Sequence, residues 1–297
     1  MPKICLSIVF NHQFEKNIPK LNELYEERFS FIRYLSPFST GETKNVISIY
    51  ETSIHFQGYF SQAYQHLPKN CDYYVFCADD LILNPSINEN NLVEFLNCEK
   101  SAYIKYLNPI WTHSFSWHKF EDCNDFPPKN CLVPYEQFLP YRKELLKTYA
   151  KHGFTYKNIG FHNLTGIVNK EIRIKNIYSG IKYLIRSKFN RYVHYPLVEG
   201  YSDFIVIPKK YLKSFCHYCG IFAAMNTWVD AGVATSLILS NPSIKQEKDT
   251  NYYGTEIWDD DKLASKLSET NNRIKEIEDI FEDHELYIHP IKLSKFN

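Results

Sequence analysis

Two adjacent carboxylates, Asp79 and Asp80, follow directly after the apolar run YYVFCA at residues 73–78. Carboxylate oxygens are ligands that Mg²⁺ and Mn²⁺ accept readily, and a cation held in this way neutralises the charge of a bound phosphate group. A pair of aspartates is also common in turns and helix caps, so the pair alone carries little weight. The buried strand predicted immediately before it makes the pair a candidate metal site.

The segment near the C-terminus holds a second cluster that could act on the same ligand. The imidazole of His289 could complete a divalent metal site, and the ammonium of Lys292, three residues on, could contact the same phosphate groups. The other interpretation is a strand edge followed by a basic tail. Charge and position favour the functional interpretation.

Two further carboxylates are candidates for a general base, the group that takes a proton from an attacking hydroxyl. Asp230 lies in an apolar stretch beside Trp228, where burial would raise its pKa towards a useful value. Asp203 comes directly before another apolar run and competes for the role. Each could instead be a helix cap or a turn residue, so both roles stay open.

The elements that must position these groups alternate between strands and helices in the first third of the chain. Apolar, β-rich runs predict strands at residues 4–10, 46–50 and 73–78. Apolar residues at helical spacing predict helices over residues 19–35 and 56–67. This order predicts a parallel sheet, in which ligands bind at the carboxyl ends of the strands. Asn11, Glu51 and Asp79 all lie at such ends.

The remainder of the chain has a weaker pattern. Residues 111–140 are rich in aromatics and proline without a clean period, which predicts long loops that could border a pocket. Residues 204–208 predict a strand, followed by a mostly apolar, deeply buried segment, and residues 286–292 predict a short final strand with a polar tail. A heptad-like seam over residues 263–281 predicts a helix that packs on the core or on a partner, such as a second copy of the chain.

Composition restricts the class of protein. The 297 residues include 34 basic and 34 acidic ones, so no global field attracts nucleic acid or a membrane. No stretch approaches the roughly 20 apolar residues of a membrane span, and no signal peptide is evident. The eight scattered cysteines favour a reducing cytoplasm. Cys216 and Cys219 form a lone CxxC pair, for which structural thiols are favoured over a zinc site.

One local basic patch stands out at residues 170–191, where seven basic residues and one acidic residue, Glu171, alternate with apolar ones. A surface helix with a solvated basic face is the favoured interpretation. The alternative is contact with phosphate on an acceptor or with an anionic membrane surface, such as the inner face of the cell membrane.

The residues from Gly58 to Tyr64, followed by 72–85, carry a family resemblance. They are similar to the donor half of GT-A glycosyltransferases, and in particular to the large inverting bacterial group that builds polysaccharides. The resemblance implies a single α/β domain with a mostly parallel, Rossmann-like sheet flanked by helices. It further implies a donor-binding half at 1–100, an acceptor-binding half at 101–260, and a C-terminal helix with a donor-closing tail at 261–297.

The resemblance also implies roles for individual residues. Asp79 would be the main ligand of Mn²⁺ or Mg²⁺, with Asp80 supporting it or binding ribose, while Cys77 stands where the family has the first aspartate of its motif. His289 and Lys292 would close over the donor, and Asp230 or Asp203 would be the base if the enzyme inverts. Residues expected near the nucleotide are Asn11, His12, Glu51 and Gln62.

The implied activity is sugar transfer from a nucleotide-diphosphate donor, with a UDP-sugar favoured, to a glycan or lipid-linked acceptor. One alternative is a sugar-nucleotide nucleotidylyltransferase, although the glycine-rich loop of that class is missing after Phe10. Another is a catalytically silent subunit that binds a glycan or an assembly partner, which the altered Cys77 keeps open. Neither a Walker loop nor a GxGxxG motif occurs, which counts against kinases and dinucleotide-dependent dehydrogenases.

Overall fold

The computed structural model describes residues 2–40, 43–128, 131–164, 173–240, 242–267 and 273–296. The strands are β1 (Ile4–Val9), β2 (Phe31–Pro37), β3 (Val46–Ile49), β4 (Tyr73–Ala78), β5 (Ile82–Leu83), β6 (Ala102–Ile104), β7 (Leu107–Pro109), β8 (Val198–Gly200), β9 (Phe204–Pro208), β10 (Ile244–Lys245), β11 (Tyr253–Glu256) and β12 (Glu285–His289). The α-helices are α1 (Ile18–Tyr25), α2 (Phe56–Ala63), α3 (Leu92–Phe95), α4 (Phe120–Asn124), α5 (Arg142–Lys151), α6 (Arg173–Arg186), α7 (Lys209–Ala224), α8 (Val229–Leu239) and α9 (Asp260–Leu267).

A mostly parallel central sheet organises the fold. Across the described part of the chain it has seven strands in the order β10-β6-β9-β4-β1-β2-β3. β9 runs antiparallel to both of its neighbours, β4 and β6. Because Phe204 pairs with Cys77, the amino end of β9 lies at the same edge as the carboxyl end of β4. The predicted fold class, an α/β protein with a mostly parallel sheet flanked by helices, is confirmed.

A second, smaller sheet brings the C-terminal segment to that edge. In the described residues it consists of β11, β12 and β5, and Ile288 of β12 lies opposite Ile82 of β5. Just beyond β12, the backbone N–H of Ile291 donates to the carbonyl oxygen of Asp80 over 2.6 Å. Residues separated by about 200 positions in the sequence are therefore neighbours.

Hydrophobic side chains pack on both faces of the central sheet. β4 contributes to both, because successive side chains of a strand point to opposite faces: Phe76 packs with Phe60 and Phe215 of α2 and α7, whereas Cys77 packs with α1 and β12. This double coverage explains why the sequence of β4 is apolar throughout. In the described residues, no helix has the length and apolarity needed to cross a bilayer.

The helix predicted for residues 19–35 is wrong beyond Tyr25. Helix α1 ends there, and Phe31–Pro37 form strand β2, which pairs in parallel with β1. The spacing of Ile32 and Leu35 fits a helix, but the segment is also rich in β-branched and aromatic residues, and pairing with β1 decides the outcome. As a result, the predicted strand at 46–50 is the third strand and lies at the sheet edge.

The continuous helical seam predicted for residues 263–281 is also wrong. Helix α9 ends at Leu267, and Ile274–Ile280 form a 3₁₀ helix; Thr270 lies outside the described residues. The three-residue period of a 3₁₀ helix places Ile274, Ile277 and Ile280 on one face, and all three are buried in the core beside α1. The described part of the seam therefore packs on its own domain.

Other local predictions hold. The long loops at 111–140 contain only short helical turns in their described part. Helix α2 forms as predicted but ends at Ala63, four residues early. Cys216 and Cys219 are buried free thiols on α7, as expected for structural cysteines.

Gly200 at the end of β8 is predicted to be intolerant of a side chain. A Cβ atom there would lie 2.6 Å from the carbonyl oxygen of Tyr106 and 2.7 Å from Cδ1 of Ile104. Backbone atoms cannot move aside easily, so Gly200→Ala should lower the free energy of unfolding by about 1–3 kcal/mol, measured by urea denaturation. An unchanged urea midpoint would mean that strands β7 and β8 can move apart without loss of stability, which would contradict this prediction. The site residues that follow Gly200 make the position important for function as well.

Candidate active site

Strand ends that are remote in sequence meet at one edge of the central sheet. The carboxyl ends of β1 and β4 lead to Asn11 and Asp79, and the amino end of β9 follows Asp203. The backbone N–H of Ala78 donates to the carbonyl oxygen of Asp203 over 2.9 Å, which fixes these two ends side by side. A cavity of about 380 Å³ opens here, with walls from the loop after β1, from Asp79 and Asp80, and from residues 291–294.

Asp79 is the most buried carboxylate at this cavity, with 6% of its surface exposed. Its backbone N–H donates to the Val9 carbonyl over 3.0 Å, and its Oδ1 accepts from the Asn11 N–H at 3.3 Å. Burial, followed by the charge of Asp80, raises the pKa of Asp79 to about 7, although the Asn11 N–H opposes the shift. Two neighbouring carboxylates at a poorly solvated site favour the binding of a cation.

His289 of β12 connects Asp80 to strand β9. Its Nε2 lies 3.1 Å from Oδ1 of Asp80, and its Nδ1 lies 2.9 Å from the hydroxyl of Tyr201. Burial on its own lowers the pKa of His289, but the hydrogen bond and charge of Asp80 outweigh it and raise the pKa overall. His289 therefore binds a proton more readily than an ordinary histidine does, and the carboxylate of Asp80 lies beside it.

A divalent cation fits the chemistry of the two aspartates. Mg²⁺ and similar ions are commonly bound by one or two carboxylates together with substrate phosphates and water. In the described ranges no group of three or more His, Cys, Asp or Glu side chains is arranged to hold a metal. Both ring nitrogens of His289 already have partners. Asp79 and Asp80 would thus hold the ion, and the phosphates of a ligand would supply further oxygens.

Cys77 lies in the core and not at the cavity. Its side chain is 1% exposed, and its Sγ donates to the carbonyl oxygens of Ala78 and Leu81 at 3.5 Å. Burial, with the charge of Asp80 next, raises the pKa of the thiol well above its usual value. The thiol is therefore a packing group, and Asp79 is the first carboxylate that the strand delivers to the edge.

The other residues predicted to bind a nucleotide fall into two groups. Asn11, His12 and Lys292 line the cavity beside the two aspartates. Glu51 and Gln62 do not: the Glu51 carboxylate accepts from the Thr52 N–H at 2.8 Å, and Oε1 of Gln62 accepts from the Tyr50 N–H at 2.9 Å. These contacts order the end of β3, and a direct role of either residue in binding stays a prediction.

Asp203 and Asp230 lie next to this site on its other side. Burial raises the pKa of Asp203 to about 6, while the charge of His289 acts in the opposite direction. Burial likewise raises the pKa of Asp230 to about 7, against the effect of a short hydrogen bond from the Ser202 hydroxyl, with the charge of Asp203 adding to the rise. The charge of Asp203 thus acts on Asp230, and the charges of His289 and Asp80 act on Asp203. Asp230 has a pKa suited to a general base near neutral pH.

A second cavity, of about 510 Å³, adjoins the first through the 3₁₀ helix Ser53–His55. Ser53 lines the first cavity, whereas Ile54 and His55 line the second together with Trp228. Trp228 occupies the position directly before α8, two residues before Asp230, and its ring meets that of Trp117 edge-on with 5.3 Å between the ring centroids. The predicted pocket-bordering role of the loops at 111–140 is confirmed, since Lys119 to Pro128 contribute to its wall.

Sequence reasoning missed several residues of the site. Tyr201 and Ser202 hold His289 and Asp230 through hydrogen bonds, and Phe14 and Ser53 line the first cavity. The position of Tyr201 and Ser202 directly before Asp203 was the available signal. Their partners are 88 and 28 residues away, so only the packing of β12 and α8 identifies them.

The Asp80–His289 pair should make stability depend on pH in a defined direction. A histidine with a raised pKa in the folded state stabilises the fold below its ordinary pKa and loses this effect as pH rises through the raised value. His289→Gln should therefore lower the free energy of unfolding by about 1.5 kcal/mol more at pH 6 than at pH 9, measured by urea denaturation. The same change at the exposed His66 is the control, and an equal loss at both pH values for His289→Gln would contradict the pairing.

Comparison with known proteins gives only distant structural similarity. No protein-family model and no curated protein matches the sequence. The chain is similar to the crystal structure of core-mannan synthase A (CmsA/Ktr4) from Aspergillus fumigatus in its Mn/GDP form, with 13% identity, a TM-score of 0.35, and coverage of 84% of this chain and 73% of that one. It is also similar to the mannosyltransferase Ktr4p from S. cerevisiae, with 14% identity, a TM-score of 0.38, and coverage of 84% and 69%. For the complex of Ktr4p with GDP, the identity is 14%, the TM-score is 0.37, and the match covers 84% of this chain and 70% of that one. At values this low, function must be inferred from the chain's own site.

Proposed function

We propose that this protein is a glycosyltransferase that moves a sugar from a nucleotide-diphosphate donor to a hydroxyl group of a glycan or lipid-linked acceptor. The observation that carries the proposal is the convergence of Asp79, Asp80, Asn11, His12 and Lys292 on one cavity at the edge of the parallel sheet. These residues come from both ends of the chain. Together they offer carboxylates for a cation and a cationic side chain for phosphate.

Within this proposal each group has a chemical task. A divalent cation, Mn²⁺ or Mg²⁺, would act as the Lewis acid that stabilises the departing nucleotide diphosphate. Asp79 and Asp80 would bind it, and Lys292 would contact the phosphates. His289 would orient Asp80 through the hydrogen bond at 3.1 Å, in preference to binding the cation itself. A UDP-sugar is the donor that we favour.

The acceptor would bind on the side of Asp230 and the second cavity. Asp230 would take the proton of the attacking hydroxyl, because its pKa of about 7 makes it a better base than an ordinary carboxylate. Asp203, with a pKa of about 6, is the competing base. Trp228, which lines the second cavity, presents an aromatic surface of the kind on which sugar rings stack, and its ring is held edge-on by Trp117. We place the reaction in the cytoplasm and in polysaccharide assembly, and the free state of all eight cysteines supports a reducing compartment.

A catalytically silent subunit that binds a glycan is the alternative. The observation in its favour is that no set of three metal ligands forms among the described residues. A nucleotidylyltransferase has less support, since the loop after β1 is Asn-His-Gln-Phe and contains no glycine.

The proposal is tested by incubating the full chain with UDP-, GDP- and CMP-sugars, with Mn²⁺, with Mg²⁺ and with a chelator. We expect slow hydrolysis of one donor that requires the cation, together with binding of the matching nucleoside diphosphate by calorimetry. Binding without turnover, even with acceptor glycans present, would support the silent alternative. If no donor binds at millimolar concentration, the glycosyltransferase proposal fails.

A further inference from the structure

The outward face of helix α6 is unusually apolar for a surface helix. Its inward face is formed by Asn176, Gly180 and Tyr183, of which Asn176 and Tyr183 are 5% and 3% exposed. On the opposite side, large apolar side chains recur along the helix and into the turn that follows it. They are Ile177, Tyr178, Ile181, Ile185 and Phe189, with 49–72% of each side chain exposed. We call these five residues the α6 face.

The same segment carries a strong local charge. Residues 173–191 contain six basic residues and no acidic one, although the chain as a whole has no net charge. Lys182 on the helix and Lys188 in the turn after it are exposed beside the α6 face. Arg186, at the last turn, pairs instead with Glu121 and Asp125 of the neighbouring α4 region. Apolar and basic groups thus occupy one surface, whereas an ordinary surface helix turns its apolar side chains inward.

This combination favours one kind of partner. Helices that lie in the interface of a bilayer bury apolar side chains among the acyl chains and attract anionic headgroups with lysine and arginine. Tyrosine and phenylalanine are suited to the boundary between headgroups and acyl chains. A protein partner would need a groove that is both apolar and acidic. We propose that the α6 face docks on the surface of a bilayer that contains anionic lipid.

The position of α6 gives this docking a consequence for the proposed function. Arg186 at its end lines the second cavity, and so does Trp228, two residues before Asp230. Docking through α6 would place this cavity beside the membrane, where a lipid-linked acceptor would be presented. The docking itself does not rest on sugar transfer, and its test contains no sugar donor.

The test is co-sedimentation of the full chain with vesicles made of phosphatidylglycerol and phosphatidylcholine in equal parts, compared with pure phosphatidylcholine. We expect binding to the anionic vesicles that weakens as salt is added, and little binding to the neutral ones. The double variant Ile181→Ser, Ile185→Ser should lose at least about tenfold in partition coefficient. The double variant Lys182→Glu, Lys188→Glu should lose a similar factor on anionic vesicles only.

A matched control carries the same charge change elsewhere. Lys209 and Lys210 are exposed at the start of α7, at the edge of the sheet opposite the site, and Lys209→Glu, Lys210→Glu should bind as the wild type does. Absence of vesicle binding, or equal binding by wild type and α6 variants, would overturn the proposal. Self-association of the wild type that the isoleucine variant abolishes, without vesicle binding, would instead assign the α6 face to a contact between two copies of the chain.

Discussion

Asp79→Asn is expected to abolish cation-stimulated sugar transfer, with a loss of about 10³-fold in turnover, because the Lewis acidity of a bound metal is worth several kcal/mol. Asn keeps the shape of the side chain and its contact with the Asn11 N–H but removes the charge that binds the ion. The measurement is initial rate against Mn²⁺ concentration. Wild-type turnover in this variant would remove Asp79 from the site.

The same variant should not be less stable than the wild type. The pKa of Asp79 is raised from 3.8 to about 7, so the folded state binds a proton more tightly than the unfolded state does. Wild-type stability should therefore fall as pH rises from about 4 through about 7, and Asn should remove this part of the fall. Asp72→Asn, at the opposite end of the same strand, is the matched control and should affect neither activity nor this pH dependence.

Asp230→Asn is expected to reduce turnover by about 10²–10⁴-fold while leaving the affinity for the donor unchanged, because only the proton acceptor is lost. In the wild type the rate should rise with pH and level off above about 7, where Asp230 becomes ionised. Steady-state rates from pH 5 to 9, with donor affinity from calorimetry, provide the measurement. The plot of rate against pH for the variant should lack the rise that the wild type shows below about pH 7.

Asp203→Asn separates the two candidate bases. With Asp230 as the base, this variant should keep a rising limb, because Asp203 affects Asp230 only through its charge. If Asp203 is the base, the wild-type limb should lie nearer pH 6, and Asp203→Asn should show the large loss. Full activity in both variants would exclude an inverting mechanism that uses either carboxylate.

The strands that deliver the site were predictable because their sequence pattern has a single physical explanation. Residues 73–78 are apolar on both faces, since β4 is covered on both sides, and the polar Asp79 directly after them marks the sheet edge. The helix predicted for residues 19–35 is wrong over residues 31–35, because the spacing of the apolar residues there fits a helix as well as a strand. Pairing with β1 resolves that ambiguity, and pairing is a property of the folded chain.

The residues of the site divide in the same way. The sequence alone identified Asp79, Asp80, His289, Asp203 and Asp230 as candidates, from their residue type and from apolar neighbours that predict burial. It could not identify the contacts between them, such as the bond from His289 to Asp80 across 209 residues or that from Ser202 to Asp230. Those contacts depend on the antiparallel direction of β9 and on the pairing of β12 with β5.

The sequence by itself thus determined that Asp79 and Asp80 are two carboxylates at the end of a buried strand. It could do so because a strand covered on both faces is apolar throughout and stops where polar residues begin. Only the tertiary structure decided that Cys77 belongs to the core, that Glu51 and Gln62 are not among the residues lining the cavity, and that the apolar residues of α6 face outward. Each of these three outcomes depends on which faces of the helices and strands pack against each other. That choice is made by long-range burial, which the local pattern of a single segment does not contain.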